Sequence, residues 1–210
     1  MIHRPTIRAL AGTALLLAVS LAGCSSDSDT PRAEVPGGSA SDSGTASGSA
    51  DAERVLAPHG LDGLGTAELI DNLDRMGDGE RPADLMASVR ADELVIASAD
   101  EELSLAIPDD RFYLSVAPYV NQTHDCFYHS LTTCTGELAA TEIHVEIVDE
   151  TNGKVLVDES MTTFDNGFAG FWLPRDITGT MRVSYDGKAG AADFSTDEDA
   201  PTCLTTLRLT

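Results

Sequence analysis

Three cysteines (Cys126, Cys134 and Cys203) and two histidines (His124 and His129) are the residues of this chain best suited to chemistry. A thiolate is at once a nucleophile, an electron donor and a soft metal ligand, and imidazole joins it around copper or zinc. Asp125 lies between His124 and Cys126, so potential donors are dense over residues 124–134. Cys126 and Cys134 are eight positions apart, a distance of about 26 Å along a straight strand or about 12 Å along a helix. A disulfide needs Cα atoms within about 7 Å. The segment Cys126-Phe-Tyr-His-Ser-Leu-Thr-Thr-Cys134 must therefore double back if its two sulfurs are to act together. The spacing matches neither a zinc ribbon nor a redox Cys-x2-Cys pair. A structural disulfide between two of the three, with the third buried, stands open beside a metal site.

The count of three arises because a fourth cysteine has another use. Arg4 and Arg8 precede an uncharged apolar stretch, Ala9 to Leu21, and Leu21-Ala22-Gly23-Cys24 follows. That stretch is too short for a spanning helix, which needs about 20 residues, and reads as the apolar part of an export signal. The tetrad resembles the lipobox of bacterial lipoproteins. The resemblance implies cleavage before Cys24, lipidation of that residue and attachment to the outer face of a membrane, since several acyl chains anchor where one barely holds. An extracytoplasmic, oxidising setting follows, in which an odd number of cysteines signals a free thiol, an intermolecular bridge or metal chemistry.

Residues 1–23 are thus expected to be signal peptide and residues 24–52 a disordered tether. From Ser25 to Ala52 there is no aromatic residue, and Val35 is the sole branched aliphatic. Such a segment cannot offset its ordering entropy by burial. The formal charge is −22, and losing Arg4 and Arg8 with the signal takes it to −24. Nucleic acid is excluded as a partner, because phosphate contacts need a cationic face. Acidity of this size keeps a protein soluble and enriches cations around it.

The elements that must position the cysteines divide in two. Residues 53–107 are expected to be helical. Thr66 can cap Ala67 to Arg75, where Leu69, Ile70 and Leu73 form a stripe. Gly77 and Gly79 then interrupt, and Pro82 opens a second helix carrying Leu85, Met86 and Val89. From residue 108 to 210 the texture is that of strands: Phe112 to Val120, Glu142 to Val148, Val155 to Asp158, Met181 to Tyr185 and Cys203 to Leu209. Asn152-Gly153 marks a hairpin between two of them. The expected class is α+β, a small N-terminal helical hairpin followed by an antiparallel β-sandwich carrying the cysteines.

Other residues add little chemistry. His144 alternates with Ile143 and Val145 and is expected to face solvent, and His59 has no partner in view. Phe168, Phe171 and Trp172 read as packing or turn residues of the sandwich, with Trp172 a minor candidate for lining a site. The methionines are dispersed, and no Ser-His-Asp order, phosphate loop or carboxylate pair stands out.

The chain resembles the CueP-type copper-binding proteins of the bacterial cell envelope. The resemblance rests on THDCFYHSLTTCTGEL (residues 123–138), TTFDNGFAGFWLPRD (162–176) and PTCLTTLRL (201–209), with weaker agreement at 61–64 and 81–94. It implies copper bound as Cu(I) through Cys126, Cys134 and Cys203, with His124 and His129 as auxiliary ligands or as residues that lower the neighbouring thiol pKa; the donor types by themselves also admit zinc. It also implies copper resistance or delivery to an extracytoplasmic cuproenzyme. The same thiols would reduce Cu(II), forming a disulfide, so the implied class is a metal-binding protein with stoichiometric reduction. The lipid anchor departs from soluble members of the family. A thiol-disulfide oxidoreductase, or a β-sandwich interaction module with a structural disulfide, are the competing readings, and the sequence leaves the oligomeric state open.

Overall fold

The computed structural model describes residues 51–99 and 101–210, and the expected signal peptide and Cys24 lie outside them. Residues 51–56 are helical, and a 3-10 turn follows at Ala57–His59. Helix α1 spans Thr66–Arg75 as its apolar spacing predicts, with Leu69, Ile70 and Leu73 buried. Gly65, one residue earlier than expected, takes the N-cap position, and Glu68 Oε2 accepts the Gly65 N–H at 2.9 Å. Asp74 is buried beside these apolar residues, which no amphipathic pattern predicts.

The second expected helix does not form. Residues from Pro82 onward give strand β1 (Met86–Val89), followed by β2 (Glu93–Ser98) and β3 (Glu101–Ala106). An i, i+4 pair such as Leu85 and Val89 shares a face in a helix and also in a strand, because four is even. Met86 decides between the two: it is exposed while Leu85, Ala87 and Val89 are buried, a period of two. The region expected to be a helical hairpin is therefore α1, with the short helical stretch before it, and a three-stranded antiparallel meander whose β1 also pairs with the short β5 (His129–Ser130).

Beyond it lie β4 (Arg111–Val116), β6 (Glu142–Asp149), β7 (Lys154–Thr162), β8 (Ala169–Pro174), β9 (Thr178–Tyr185), β10 (Lys188–Ser195) and β11 (Cys203–Leu204). They form two further sheets, ordered β10-β9-β6-β7 and β11-β4-β8. Besides the short β5, the strands after residue 108 that the sequence reading misses are β8 and β10, where Gly170 and a run of small residues weaken the alternation signal.

A single two-sheet sandwich does not describe this arrangement. The sheet β11-β4-β8 is covered on both faces. Phe112, Leu114 and Val116 of β4 join Ile143, Val145 and Ile147 of β6 in one core. Tyr113, pointing the other way, joins α1 and strands β1 and β2 in a second core. Residues 111–116 are consequently buried almost throughout. The middle sheet, gripped from both sides, is what the cysteine cluster is built on.

Candidate metal centre

The loop from Ala117 to Tyr128 carries His124 and Cys126, and β5 with the turn after it carries His129 and Cys134. The chain doubles back as the spacing required: Cys126 Sγ and Cys134 Sγ lie 3.5 Å apart, both thiols free. Cys203 is delivered by β11, which runs parallel to β4 with Cys203 opposite Ser115. Thr202 and Cys203 are zipped to the other segment, since both donate backbone N–H groups to Phe127 O, at 3.0 and 3.2 Å. The Thr202 hydroxyl accepts the His129 N–H at 2.9 Å and donates to Val89 O at 2.6 Å.

The five residues singled out by type come together. His124, Cys126 and Cys134 each offer a donor atom within 4.8 Å of the other two, and so do His129, Cys134 and Cys203. Cys203 Sγ is 3.6 Å from His129 Nδ1. Phe168, fully buried, packs with Cys203, Cys126 and Cys134, and its ring centroid lies 4.4 Å from that of His129. His124 Nε2 is buried and has no hydrogen-bond partner among the described residues. A buried polar atom with nothing to bind costs free energy, and an orphaned imidazole nitrogen beside two thiols fits a soft metal ion.

The other ring nitrogen of His129 leads to a residue that sequence reasoning missed. Asp74 Oδ1 lies 2.7 Å from His129 Nε2, both side chains fully buried. Tyr113 Oη and the Ser115 hydroxyl donate to Asp74 Oδ2 at 2.6 and 3.0 Å, and Asn166 Nδ2 donates to Oδ1 at 3.0 Å. An ionised carboxylate only accepts, so His129 must donate from Nε2 and turn Nδ1 toward the sulfurs. A carboxylate behind a histidine is the usual support of a metal-ligating imidazole. The one signal in the sequence was an acid on the apolar stripe of α1, one position after Leu73.

The family described as "Periplasmic copper-binding protein CueP" matches residues 68–208. The solved structure titled "Crystal Structure of S.CueP" superposes with a TM-score of 0.71 at 39% identity, covering 75% of this chain and 96% of its own. No curated protein sequence matches. The chain belongs to the CueP family. That family is periplasmic, which agrees with the extracytoplasmic setting expected here.

In this CueP-family chain the charges around the cluster are interlocked. Burial works to raise the Asp74 carboxyl, but the charge and hydrogen bond of His129, with those of Tyr113 and Asn166, hold it below its ordinary range. Burial opposes charge on His129 too, yet Asp74 and the neighbouring thiols carry it well above its ordinary value. Cys134 is pulled well below the usual thiol range, by hydrogen bonding from Cys126 first, then from Cys203 and His129. Cys203 is pushed up by its hydrogen bonds to Cys126 and Cys134 and by burial. Of the two thiols so perturbed, Cys134 is the one the cluster favours as thiolate, the form that attacks metals and disulfides.

Two features of the CueP fold hold the loops in place. Arg81, its side chain only 5% exposed, donates to Cys134 O at 2.7 Å and to Met76 O at 3.2 Å, tying the cysteine turn to the end of α1. Gly136 and Gly167 (φ +84°) approach so closely that a Cβ on either would strike the other's backbone. Gly136→Ala must part these segments and move Cys134. The expected cost is about 1–3 kcal/mol, read as a lowered urea midpoint, with faster alkylation of Cys134.

Glu137 organises the loop before Cys126. Its carboxylate accepts the backbone N–H of Val120 at 2.7 Å and of Asn121 at 2.9 Å, and the Asn121 side-chain amide at 2.7 Å. The Asn121 backbone first, then its side chain and Val120, lower its pKa to about 2. A carboxylate lowered in the fold contributes stability above its unfolded value near 4.5 and loses it as pH falls toward 2. Nuclear magnetic resonance should place the Glu137 midpoint near 2, and Glu137→Gln should flatten the loss of stability over that range.

The remaining candidates fall elsewhere. His144 is exposed as expected, 3.1 Å from Asp158. His59 has a partner after all, Asp84 at 3.7 Å. Trp172 does not line the cluster: it donates to Asp71 at 3.0 Å and packs on Tyr113.

Proposed function

We propose that this protein binds copper outside the cytoplasm as Cu(I), held by Cys126, Cys134 and Cys203 with His124 and His129, for resistance or delivery to a cuproenzyme. The observation that carries the reading is the convergence of three free thiols and two imidazoles, each three-donor group within 4.8 Å. Sulfur and imidazole donors favour soft Cu(I), while zinc would accept the same set. Lipid attachment at Cys24 keeps the site within reach of the membrane, where incoming copper is met first.

The same thiols are suited to reduce the ion they bind. Two Cu(II) ions take one electron each from Cys126 and Cys134, giving two Cu(I), one disulfide and two protons. The sulfur separation of 3.5 Å asks for little movement to close that bond. Reduction and binding draw on one pool of sulfur, so a chain that has formed the disulfide retains a single free thiol, Cys203, in the cluster.

Competition with a Cu(I) chelator tests the reading. Reduced protein is expected to hold Cu(I) well below micromolar, and serine at all three cysteines to abolish this. Binding of micromolar strength or weaker that survives the triple change would overturn it. Thiol counts after Cu(II) should fall by two. Turnover of a disulfide substrate without metal would favour a thiol-disulfide oxidoreductase instead.

A further inference from the structure

Five donors are more than one three-coordinate Cu(I) uses, and they are not spread evenly. They fall into two trios, His124–Cys126–Cys134 and His129–Cys134–Cys203, and Cys134 belongs to both. Thiolate–metal bonds of about 2.3 Å set the donors of a trigonal ion about 4 Å apart. The contacts of 3.5 Å between Cys126 and Cys134 and 3.6 Å between Cys203 and His129 are close to that spacing. We propose that the cluster is a two-ion site, in which an outer and an inner copper(I) share Cys134 Sγ as a bridging thiolate.

Charge favours two ions over one. Three thiolates around one Cu(I) leave a net charge of two minus in a largely water-excluded place. A second Cu(I) reduces it to one, and burying less uncompensated charge costs less. Asp74 lies directly behind His129 and adds to the negative field there. The second ion also engages His124, whose imidazole carries a buried nitrogen with no hydrogen-bond partner among the described residues and which a metal held only by the inner trio would leave unused.

Exposure ranks the two positions. His124 and Cys126 are half-buried on a loop and lie beside Phe127 and Tyr128, which are 52% and 39% exposed. His129 is fully buried and Cys203 is 3% exposed, and the inner imidazole is fixed by Asp74. Copper from solvent meets the outer trio, and a thiolate with lone pairs facing both ways passes it inward. The outer position is the exchanging one, and the inner position retains its ion.

This inference rests on the copper reading above, and one titration separates the two. The full chain is used in reduced form with Cys24→Ser, so that only the clustered thiols count. Cu(I) is added, and bound metal is counted by native mass spectrometry. Two ions per chain are expected, with a short copper–copper vector in the X-ray absorption spectrum. Cys126→Ser should keep one ion (the inner) and Cys203→Ser one (the outer), each losing the copper–copper vector. Cys134→Ser should lose the tight binding of both, and circular dichroism would check that each variant is folded. Saturation at one ion, or two ions in the unchanged cluster without the copper–copper vector, overturns the two-ion site while copper binding stands. No tight ion at all overturns the copper reading itself. The absorption measurement needs no substitution within the cluster, so it decides even if a variant misfolds.

Discussion

Asp74→Ala is expected to destabilise the fold by about 3–5 kcal/mol, the range for removing one partner of a buried ionic pair. The loss is large because His129 Nε2 and the Tyr113 and Ser115 hydroxyls lose their acceptor together, and the Asn166 amide keeps only the Asp74 backbone carbonyl. Water cannot replace the carboxylate without opening the interface between α1 and β4. Urea unfolding measures this directly. Asp74→Asn separates shape from charge, since the amide can donate to His129 Nε2 and leave the proton on Nδ1, facing Cys203. Supporting groups of this kind are worth about 10–100-fold in metal affinity. A drop of that size in Cu(I) affinity is therefore expected for the amide variant, at temperatures where it remains folded.

The same pair sets a pH window for the metal-free protein. His129 is raised above its ordinary 6.5, so its contribution is complete below that value and is lost as pH rises through the folded pKa. Asp74 is lowered from 3.8, so its contribution is present above that value and is lost as pH falls through the folded pKa. The pair therefore stabilises most between about 4 and 6.5. The urea midpoint of the unchanged protein should fall on the alkaline side of this window, and that of Asp74→Asn should change less.

Phe168→Ala is the second large effect, expected to cost about 3–5 kcal/mol. Its ring is fully buried and meets both histidines, at centroid distances of 4.4 Å for His129 and 6.2 Å for His124. It packs with Ala117 and Cys203 and borders Cys126 and Cys134. Removing it opens a cavity under all five donors at once. Thermal denaturation would show the lost stability, and faster alkylation of Cys203, now sheltered, would show the loosened floor. Phe168→Leu keeps most of the volume and should retain most of both properties.

Much of the fold was legible because its signals are local. The stripe of Leu69, Ile70 and Leu73 marked α1, and alternation at Ile143, Val145 and Ile147 marked β6. The Asn152-Gly153 turn was placed correctly between β6 and β7, with Gly153 at φ +73°. Reading failed where two periods agree. Leu85 and Val89 suit a helix and a strand equally, so their spacing alone does not mark β1 as a strand. It failed again at β8, where Gly170 interrupts the alternation. The third sheet and the doubly covered β4 escaped for another reason. A strand buried on both faces looks like any apolar run, and only its neighbours show how many layers surround it.

The candidate donors were legible from residue type alone. Thiols and imidazoles are scarce, and if Cys24 is assigned to lipid, as its tetrad leads one to expect, the odd set that remains asks for an explanation. Sequence by itself therefore determined which side chains are chemically able to hold copper, and the family to which their pattern belongs. Their convergence was not legible, because Cys203 reaches Cys134 only through the parallel pairing of β11 with β4. Nor was the role of Asp74, which lies 55 positions from His129. Its neighbours along α1 say only that it is an acid beside apolar residues. Tertiary structure decided that this acid is buried, that it faces His129, and that Cys134 is common to both trios. The physical reason is range. Apolar periodicity and turn chemistry act over a few residues, while hydrogen bonds and shared ligands depend on which distant segments the core brings within 3 or 4 Å.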